Sequence, residues 1–409
     1  MFRRQAKSFF FVFEALGSLS CGFYANYIFF LLRDRYGFGN TGNLGVSALQ
    51  GLIWALAAWQ GGRFAQRFGY FTALRAGLGG MTVALLAGVW LQSLMAQLAV
   101  LVVWTASSCF VWPALEALVS EGETDRELPR RLGIYNVVWA TCSAFSYFLG
   151  GALFEYLGTQ SMFWLPAGTY VLQFGMLAWF SKTHAVPMPS PRSPVRRAHR
   201  PESVAVHPPV SPRTFLRMAW LANPFACIGI NTLLATMPAL ARDLHLSATA
   251  SGLFCSVWFF ARLGAFILLW RWRGWHYRFP WLLGAFLGLL AGFAAVLLLR
   301  NFWLLFAAQV LFGFSVGLLY YSSLFYSMDI GQTKGEHGGL HEAAMGAGNC
   351  LGPALGAAAL ALAPQCPNAA AYAVGGLLTM GLFGLLRLRF SRPSLPLSEP
   401  AGCLPKDHW

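Results

Sequence analysis

Apolar residues in this chain fall into twelve long runs, which are separated by short polar or charged segments. The runs cover residues 8–32, 42–62, 72–92, 96–118, 132–156, 161–181, 215–240, 248–270, 279–299, 302–326, 339–363 and 369–390. A helix needs about 20 apolar residues to cross the roughly 30 Å hydrocarbon core of a bilayer, and each run is close to that length or longer. The pattern predicts an all-α membrane protein with twelve transmembrane helices, which we number spans 1 to 12.

One polar segment divides these spans into two sets of six. Residues 182–213 contain eight prolines, a density at which no helix can form, so the segment is predicted to be an extended linker. We therefore expect an N-terminal six-helix bundle at 1–181, the linker, a C-terminal six-helix bundle at 214–390 and a tail at 391–409.

The composition supports a membrane protein and excludes other classes. Hydrophobic residues make up 57% of the chain and charged residues only 11%, with a mean hydropathy of +0.54. A soluble domain carries about a quarter charged residues, and a disordered chain has far less apolar content. The formal net charge is +14. In a membrane protein, such an excess reports the enrichment of Lys and Arg on the cytoplasmic side rather than a nucleic-acid partner.

The distribution of the basic residues predicts the orientation. With the N-terminus inside, 24 of the 29 Lys and Arg residues fall in cytoplasmic segments or at the cytoplasmic ends of spans, four fall in outer loops, and Arg262 alone lies well inside a span. Both termini are therefore expected in the cytoplasm. The short loops suggest a bacterial inner membrane, and we expect a monomer.

The sequence contains no pattern typical of an enzyme or a metal site. Six of the eight cysteines lie inside apolar runs, and no CxxC pair occurs. The chain has no phosphate-binding loop and no grouping of nucleophile and base. We therefore predict neither catalysis nor a cofactor.

The two sets of spans resemble each other. Shifting the chain by 206 residues superposes small and polar positions of span 5 on span 11: Gly133, Asn136, Ala140, Ser143, Tyr147 and Gly150 fall on Gly339, Glu342, Gly346, Asn349, Pro353 and Gly356. Glycine-rich helices can also look alike by chance. Duplication of a six-span unit is typical of transporters, whose binding site is expected near the midplane between the halves.

The loop between spans 2 and 3 carries a specific motif. It reads Gly-Arg-Phe-Ala-Gln-Arg-Phe-Gly over residues 62–69, and it resembles the motif that the major facilitator superfamily has at this place. The resemblance extends over nearly the whole chain. It implies that Gly62 allows close helix approach, Arg67 supplies a cytoplasmic charge and Gly69 makes the turn.

Two departures from that family's patterns weaken the finer assignment. Gln66 stands where the family's loop motif usually has an acidic residue. A charge relay at this loop is therefore expected to be weaker or to lie elsewhere. Span 5 lacks the Gly-Pro pair of many proton-coupled drug antiporters, and Gly352-Pro353 occurs in span 11 instead. The resemblance thus implies the transporter fold and, less directly, the branch that exports drugs and other solutes.

Among the carboxylates inside predicted spans, three are candidates for function, because ionisable residues there are costly. Glu14 on span 1 is a candidate proton carrier; the alternative is that it snorkels or pairs with a nearby arginine. Glu116 on span 4 is a candidate for a role in the conformational change, with a structural ion pair to the arginines of the next loop as the alternative. Glu342 opens span 11 and is either a proton site or a helix cap.

Polar and aromatic side chains complete the candidate site. Asn26 and Asn231 occupy matching depths in spans 1 and 7, and Asn349 shares a helical face with Glu342. These amides line a cavity or simply join helices. Trp258 and Tyr320 are candidates to contact an apolar or planar solute, although most membrane tryptophans serve packing or the interface.

Arg262 is the remaining intramembrane cation. Span 8 is predicted to end near Trp270, which places Arg262 about 12 Å from the cytoplasmic boundary and near the midplane. An unpaired guanidinium there costs at least about 2.5 kcal/mol. The arginine is either a substrate anchor held by aromatic neighbours such as Trp258 and Phe266, or the partner of a carboxylate such as Glu342.

These features predict a secondary transporter that moves a small organic solute by alternating access, with proton-coupled efflux as the leading hypothesis. The expected partners are the solute, protons and the lipid bilayer. The alternatives are an importer of a sugar or organic acid, and a membrane sensor on the same scaffold that transports nothing.

Overall fold

The computed structural model describes residues 2–120, 127–183, 210–330 and 336–391, and every secondary-structure element in them is a helix. The helices are α1 (Phe2–Tyr36), α2 (Asn40–Phe68), α3 (Tyr70–Trp90), α4 (Leu94–Ser120), α5 (Leu128–Tyr156), α6 (Ser161–Thr183), α7 (Pro212–Asp243), α8 (Ala248–Cys255), α9 (Val257–Arg271), α10 (Phe279–Leu298), α11 (Phe302–Ile330), α12 (Glu336–Leu362) and α13 (Ala369–Phe390). Ten segments of this described part are long and apolar enough to cross a membrane, with α8 and α9 counted as one. The other two, α2 and α6, coincide with predicted spans 2 and 6.

Each predicted span corresponds to one helical segment, with one interruption. Span 8 was expected as a single helix over 248–270, but it breaks at Ser256 between α8 and α9. The Ser256 hydroxyl donates to the carbonyl of Leu253 at 2.8 Å, a local bond that competes with regular helix geometry. Most of the predicted linker (184–209) and tail (392–409) lies outside the described residues.

The helices pack as two bundles. Helices α1 to α6 pack mainly against one another, as do α7 to α13, and the halves meet along two seams. At the first seam α2 lies against α12, and at the second α5 lies against α8 and α9. We call inner the helix ends that the charge distribution predicts to face the cytoplasm, and outer the opposite ends.

Glycines allow the backbones to approach closely at both seams. A β-carbon at Gly51 of α2 would lie 2.3 Å from the backbone nitrogen of Cys350 on α12. A β-carbon at Gly151 of α5 would lie 2.2 Å from the carbonyl oxygen of Ala248 on α8. Neither position has room for a side chain. Because glycine has none, the helices of the two halves can pack closely here, as in other membrane helix pairs.

Candidate functional site

Glu14 is fully buried on α1 and is bonded within its own half. Ser18, one turn further along the helix, donates its hydroxyl to the Glu14 carboxylate. Tyr135 on α5 also makes a side-chain hydrogen bond to it. The exposed fraction of Glu14 is 0%, so the expectation that it snorkels to the interface is wrong. Its second carboxylate oxygen has no hydrogen-bond partner in the described part of the chain.

Glu342 lies across the first seam. Its carboxylate accepts a hydrogen bond from the indole nitrogen of Trp54 on α2, at 3.2 Å. Because α12 begins at Glu336, Glu342 lies nearly two turns inside the helix, and only 5% of its surface is exposed. The alternative that it caps the helix N-terminus is therefore wrong, because a cap must lie at the first residues of the helix.

Glu116 joins these two carboxylates into a cluster. It is half-buried on α4 and interacts electrostatically with Glu342 of the other half and with Glu14 of its own half. Glu116 thus has an acidic neighbour in each half of the molecule. An ion pair of Glu116 with Arg126 falls on a residue outside the described ranges.

Arg262 on α9 lies among aromatic rings. Its guanidinium carbon is 4.5 Å from the ring centre of Trp139, 5.0 Å from that of Phe259 and 5.2 Å from that of Trp258. Trp139 belongs to α5, so the arrangement spans the second seam. The sequence predicted aromatic neighbours including Trp258; Phe259 takes the place expected for Phe266.

The expected ion pair between Arg262 and Glu342 does not form. Among the described residues, the side chains that interact electrostatically with the guanidinium are Tyr320 and Cys227, and neither is a carboxylate. Its buried Nε has no hydrogen-bond partner among the described residues. The aromatic faces therefore hold the side chain in place without neutralising its charge.

Tyr320 connects the two charged regions. Its ring stacks on Trp139 with centroids 5.5 Å apart, and Phe266 stacks behind both rings. Tyr320 also interacts electrostatically with Glu116 and Glu342 on one side and with Arg262 on the other. Aromatic rings from both halves thus meet at the second seam.

The three candidate asparagines lie in two separate places. Asn231 on α7 donates to the side-chain oxygen of Asn349 on α12 at 2.5 Å, and Ser47 of α2 donates to the Asn231 carbonyl at 3.3 Å. Asn231 and Asn349 therefore join helices at the first seam. Asn26 is buried on α1, and the described contacts do not bring it to Asn231.

In the loop motif, Gly69 makes the turn, but the close helix approach lies at Gly61 rather than at Gly62. Gly69 has φ of +92° and joins α2 to α3, a left-handed conformation that favours glycine. Arg67 is exposed at the end of α2. The expected close approach at Gly62 is wrong, because nothing lies within 4 Å of the β-carbon position. Gly61 makes that approach instead, 2.2 Å from the carbonyl of Cys109 on α4.

Gly352 and Pro353 serve the packing of α12. A β-carbon at Gly352 would lie 2.7 Å from the carbonyl oxygen of Ile228 on α7, so the glycine allows α7 and α12 to touch. Pro353 is buried inside α12. The described residues contain no group of three or more His, Cys, Asp or Glu side chains arranged to hold a metal ion.

Sequence reasoning missed the partners that define the site. Helical periodicity places Ser18 on the same face as Glu14, four residues along the helix, whereas Tyr135 on another helix gave no signal as a partner of Glu14. The Trp54–Glu342 bond joins residues that are 288 positions apart, and no periodicity reveals such a pair.

No protein-family model matches the chain, and no curated protein matches it by sequence. Solved structures do match. The human organic anion transporter MFSD10 (TETRAN) matches with a TM-score of 0.67 and 16% identity, over 94% of this chain and 99% of that chain. A mutant of the nucleoside transporter NupG matches with a TM-score of 0.67 and 9% identity, over 94% and 99% of the two chains.

An autoinhibited peptide transporter of the POT family matches with a TM-score of 0.75 and 12% identity, over 97% of this chain and 99% of that chain. Identities this low show a shared fold and leave the efflux branch a prediction. Together with the helix order and the two seams, the matches lead to one conclusion: this chain is a multi-pass membrane protein with the major facilitator superfamily fold.

Proposed function

We propose that this chain is a secondary transporter, which carries a small organic solute across the membrane by alternating access and is coupled to protons. The observation that supports this proposal most is the pair of ionisable groups at the seams. Glu342 bonds to Trp54 of the other half, and Arg262 lies over Trp139 of the other half. Because each group and its partner belong to different bundles, any movement of one bundle against the other changes both environments.

Buried ionisable groups in a membrane are retained mainly where they serve a proton, ion or substrate path. The cluster of Glu14, Glu116 and Glu342 offers proton sites, and Trp139 and Tyr320 offer a planar surface for a solute. We propose that the chain works as a monomer in a bacterial inner membrane, with both termini in the cytoplasm.

Two directions of transport have separate support. Proton-coupled efflux follows from the sequence resemblance. Uptake of an organic acid together with protons is favoured by Arg262, whose charge has no carboxylate partner among the described residues. A fixed cation of this kind is suited to an anionic solute.

The test is flux in proteoliposomes under an imposed pH gradient of either sign. A mixture of acids, amines, sugars and neutral compounds is supplied outside, and the accumulated solutes are identified by mass spectrometry. A proton antiporter accumulates its solute in vesicles that are acidic inside, and a proton symporter in vesicles that are alkaline inside. Binding of a solute without any gradient-dependent flux would leave the sensor alternative and overturn the proposal.

A further inference from the structure

The site around Arg262 has a closed wall and an open wall. We call Arg262, Trp139, Trp258 and Phe259 the arginine cage. Trp258 is fully buried and Phe259 nearly so, with their ring centres 3.9 Å apart, and together they form a fixed inner wall. Trp139 is only half-buried and stacks on the half-buried Tyr320, so these two rings form the more accessible wall of the site.

The cage covers the faces of the guanidinium and leaves the Nε–H at its edge without an acceptor among the described residues. Ring faces attract a cation through its flat surface, but they accept none of its five N–H hydrogen bonds. The buried Nε has no partner within the described chain, and the electrostatic neighbours are a tyrosine and a cysteine. A buried charge without a counter-ion is strongly unfavourable, so the geometry calls for an anion in the plane of the guanidinium.

A carboxylate matches this edge because its two oxygens accept the paired N–H groups of arginine side by side. A molecule bound in that plane would extend beside Trp139 and Tyr320, whose rings offer parallel faces with an interplanar angle of 25°. The cage therefore fits a compact solute in which a flat conjugated ring carries one carboxylate.

Acidic groups lie close enough to affect such an anion. The titratable or charged groups around the cage are Cys227 from α7, Tyr320 from α11, Glu116 from α4 and Glu342 from α12, with Glu14 and Tyr135 behind Glu116. Glu116 and Glu342 interact with Tyr320, which also interacts with Arg262, so an anion that extends from Arg262 along Tyr320 brings negative charge toward both carboxylates. A proton on that pair removes the repulsion, so anion and proton favour each other's binding, and this coupling is reciprocal.

We propose that the transported solute is a small planar aromatic monocarboxylate, bound by Arg262 and stacked on Trp139 and Tyr320, and that it binds together with a proton held by Glu116 and Glu342. The inference rests on the proposed transport function. Since the anion and the proton bind cooperatively, the two move in the same direction, and the chain is a symporter.

The first test measures binding to the purified full chain. Matched sets are compared by thermal unfolding in detergent: benzoate and indole-3-acetate, the amides of both acids, and the corresponding benzyl and indolyl amines. At least one acid should raise the unfolding temperature, while its amide and amine leave it unchanged. Stabilisation by the amines, equal stabilisation by acid and amide, or no stabilisation by any acid would overturn the proposal.

Variants test the assigned roles with the acid that binds. Arg262→Ala should weaken binding by about thirtyfold or more, because a charge pair is lost, while Arg262→Lys should recover part of the affinity. Arg300→Ala is the matched control: this exposed arginine at an outer helix end donates to the carbonyls of Leu297 and Leu299, away from the cage. Equal loss in the Arg262 and Arg300 variants would show that the effect is not local.

The pH dependence tests the linked proton. Over about pH 6 to 8 a simple carboxylic acid stays ionised, so a change in affinity reports the protein's own groups. Affinity for the acid should rise as the pH falls, and Glu342→Gln should reduce that dependence, because glutamine imitates the protonated state. An unchanged pH dependence in both Glu342→Gln and Glu116→Gln would contradict the linkage.

Binding and flux separate this inference from the proposed function. If an amine or a sugar is driven across proteoliposomes by the pH gradient and no aromatic acid binds, the transporter proposal stands and the solute class is wrong. If an aromatic acid binds through Arg262 but no gradient drives it, the cage is a binding site and the transport proposal fails.

Discussion

At the α2–α12 seam an indole N–H donates to the buried carboxylate of Glu342, whereas at the α5–α9 seam an indole face lies against the guanidinium of Arg262. Each seam thus pairs a tryptophan of the first half with an ionisable residue of the second. The tryptophans act through different parts of the ring, the edge of Trp54 and the face of Trp139. Both seams are closely packed, but the ionisable residue is acidic at the first seam and basic at the second. The first seam is therefore suited to a proton and the second to an anion.

A second contrast separates Glu342 from Glu14. Both carboxylates are buried, but the hydrogen-bond partners of Glu14 are Ser18 and Tyr135, in its own bundle. Movement of the bundles leaves that set together, whereas the bond from Trp54 to Glu342 joins two bodies. Among the buried acids, Glu342 is therefore the one whose protonation is expected to depend most directly on the conformational state.

The largest effect is expected from Glu342→Gln. The variant should lose gradient-driven accumulation by about a hundredfold, since an uncharged side chain cannot take up and release the coupling proton. Exchange of solute between the two sides should persist, because exchange needs no net proton movement. Both are measured in proteoliposomes with the same labelled solute.

Glu14→Gln is the matched comparison, and its driven transport should fall less than that of Glu342→Gln. Normal driven transport in Glu342→Gln together with a complete loss in Glu14→Gln would show instead that Glu14 carries the coupling proton.

The next effect concerns packing, in which the two seams should behave alike. Gly51→Val and Gly151→Val each force a side chain into contact with the opposite backbone, at positions where a β-carbon would already lie 2.3 Å and 2.2 Å from it. We expect a loss of about 1–3 kcal/mol of stability or more in each variant. The measurement is thermal unfolding of the purified protein.

Gly45→Val is the control on α2, because nothing lies within 4 Å of its β-carbon position. An unfolding temperature of Gly51→Val as high as that of Gly45→Val would show that the first seam is not tightly closed in the membrane.

The smallest effect separates the edge of an indole from its face. Trp54→Phe removes the N–H that bonds to Glu342, and it should reduce driven transport by about tenfold, in line with a lost hydrogen bond to a charged or polar group. Trp139→Phe keeps an aromatic face near Arg262 and should cost only about threefold, because phenylalanine is a weaker partner for a cation than tryptophan. Initial rates of uptake give both numbers. Equal losses in the two variants would mean that the indoles act in the same way.

Sequence patterns predicted most of the fold, and they singled out the charged residues of the site, whose burial in a membrane is unfavourable. The apolar runs predicted the helices because length and hydropathy are local properties, and Glu14, Glu342 and Arg262 stood out because charged residues are rare inside spans. The patterns do not reveal which residues of other helices pack against each face of a helix. The pairing of Arg262 with Trp139, and the absence of its pairing with Glu342, depends on how the two bundles dock.

The glycines show the same limit at finer scale. Gly61 and Gly62 are adjacent and have the same local propensity, yet only Gly61 faces α4. The rotation of α2 about its own axis decides between them, and it is set by contacts with α4 and α12. Neighbouring residues point about 100° apart around a helix, and the period alone does not say which of the two directions meets α4.

Lys7 illustrates a consequence for the order of assembly in the membrane. Its buried ammonium group donates to the carbonyl oxygens of Leu118 and Val119, at 2.9 Å and 2.7 Å, at the inner end of α4. These carbonyls belong to the last turn of a helix, where no backbone donor is available to them. When the ribosome has delivered only span 1, this lysine still needs water or lipid headgroups as its partner. The charge that we expect to help orient the first span during insertion therefore holds α1 against α4 once the fourth span has arrived.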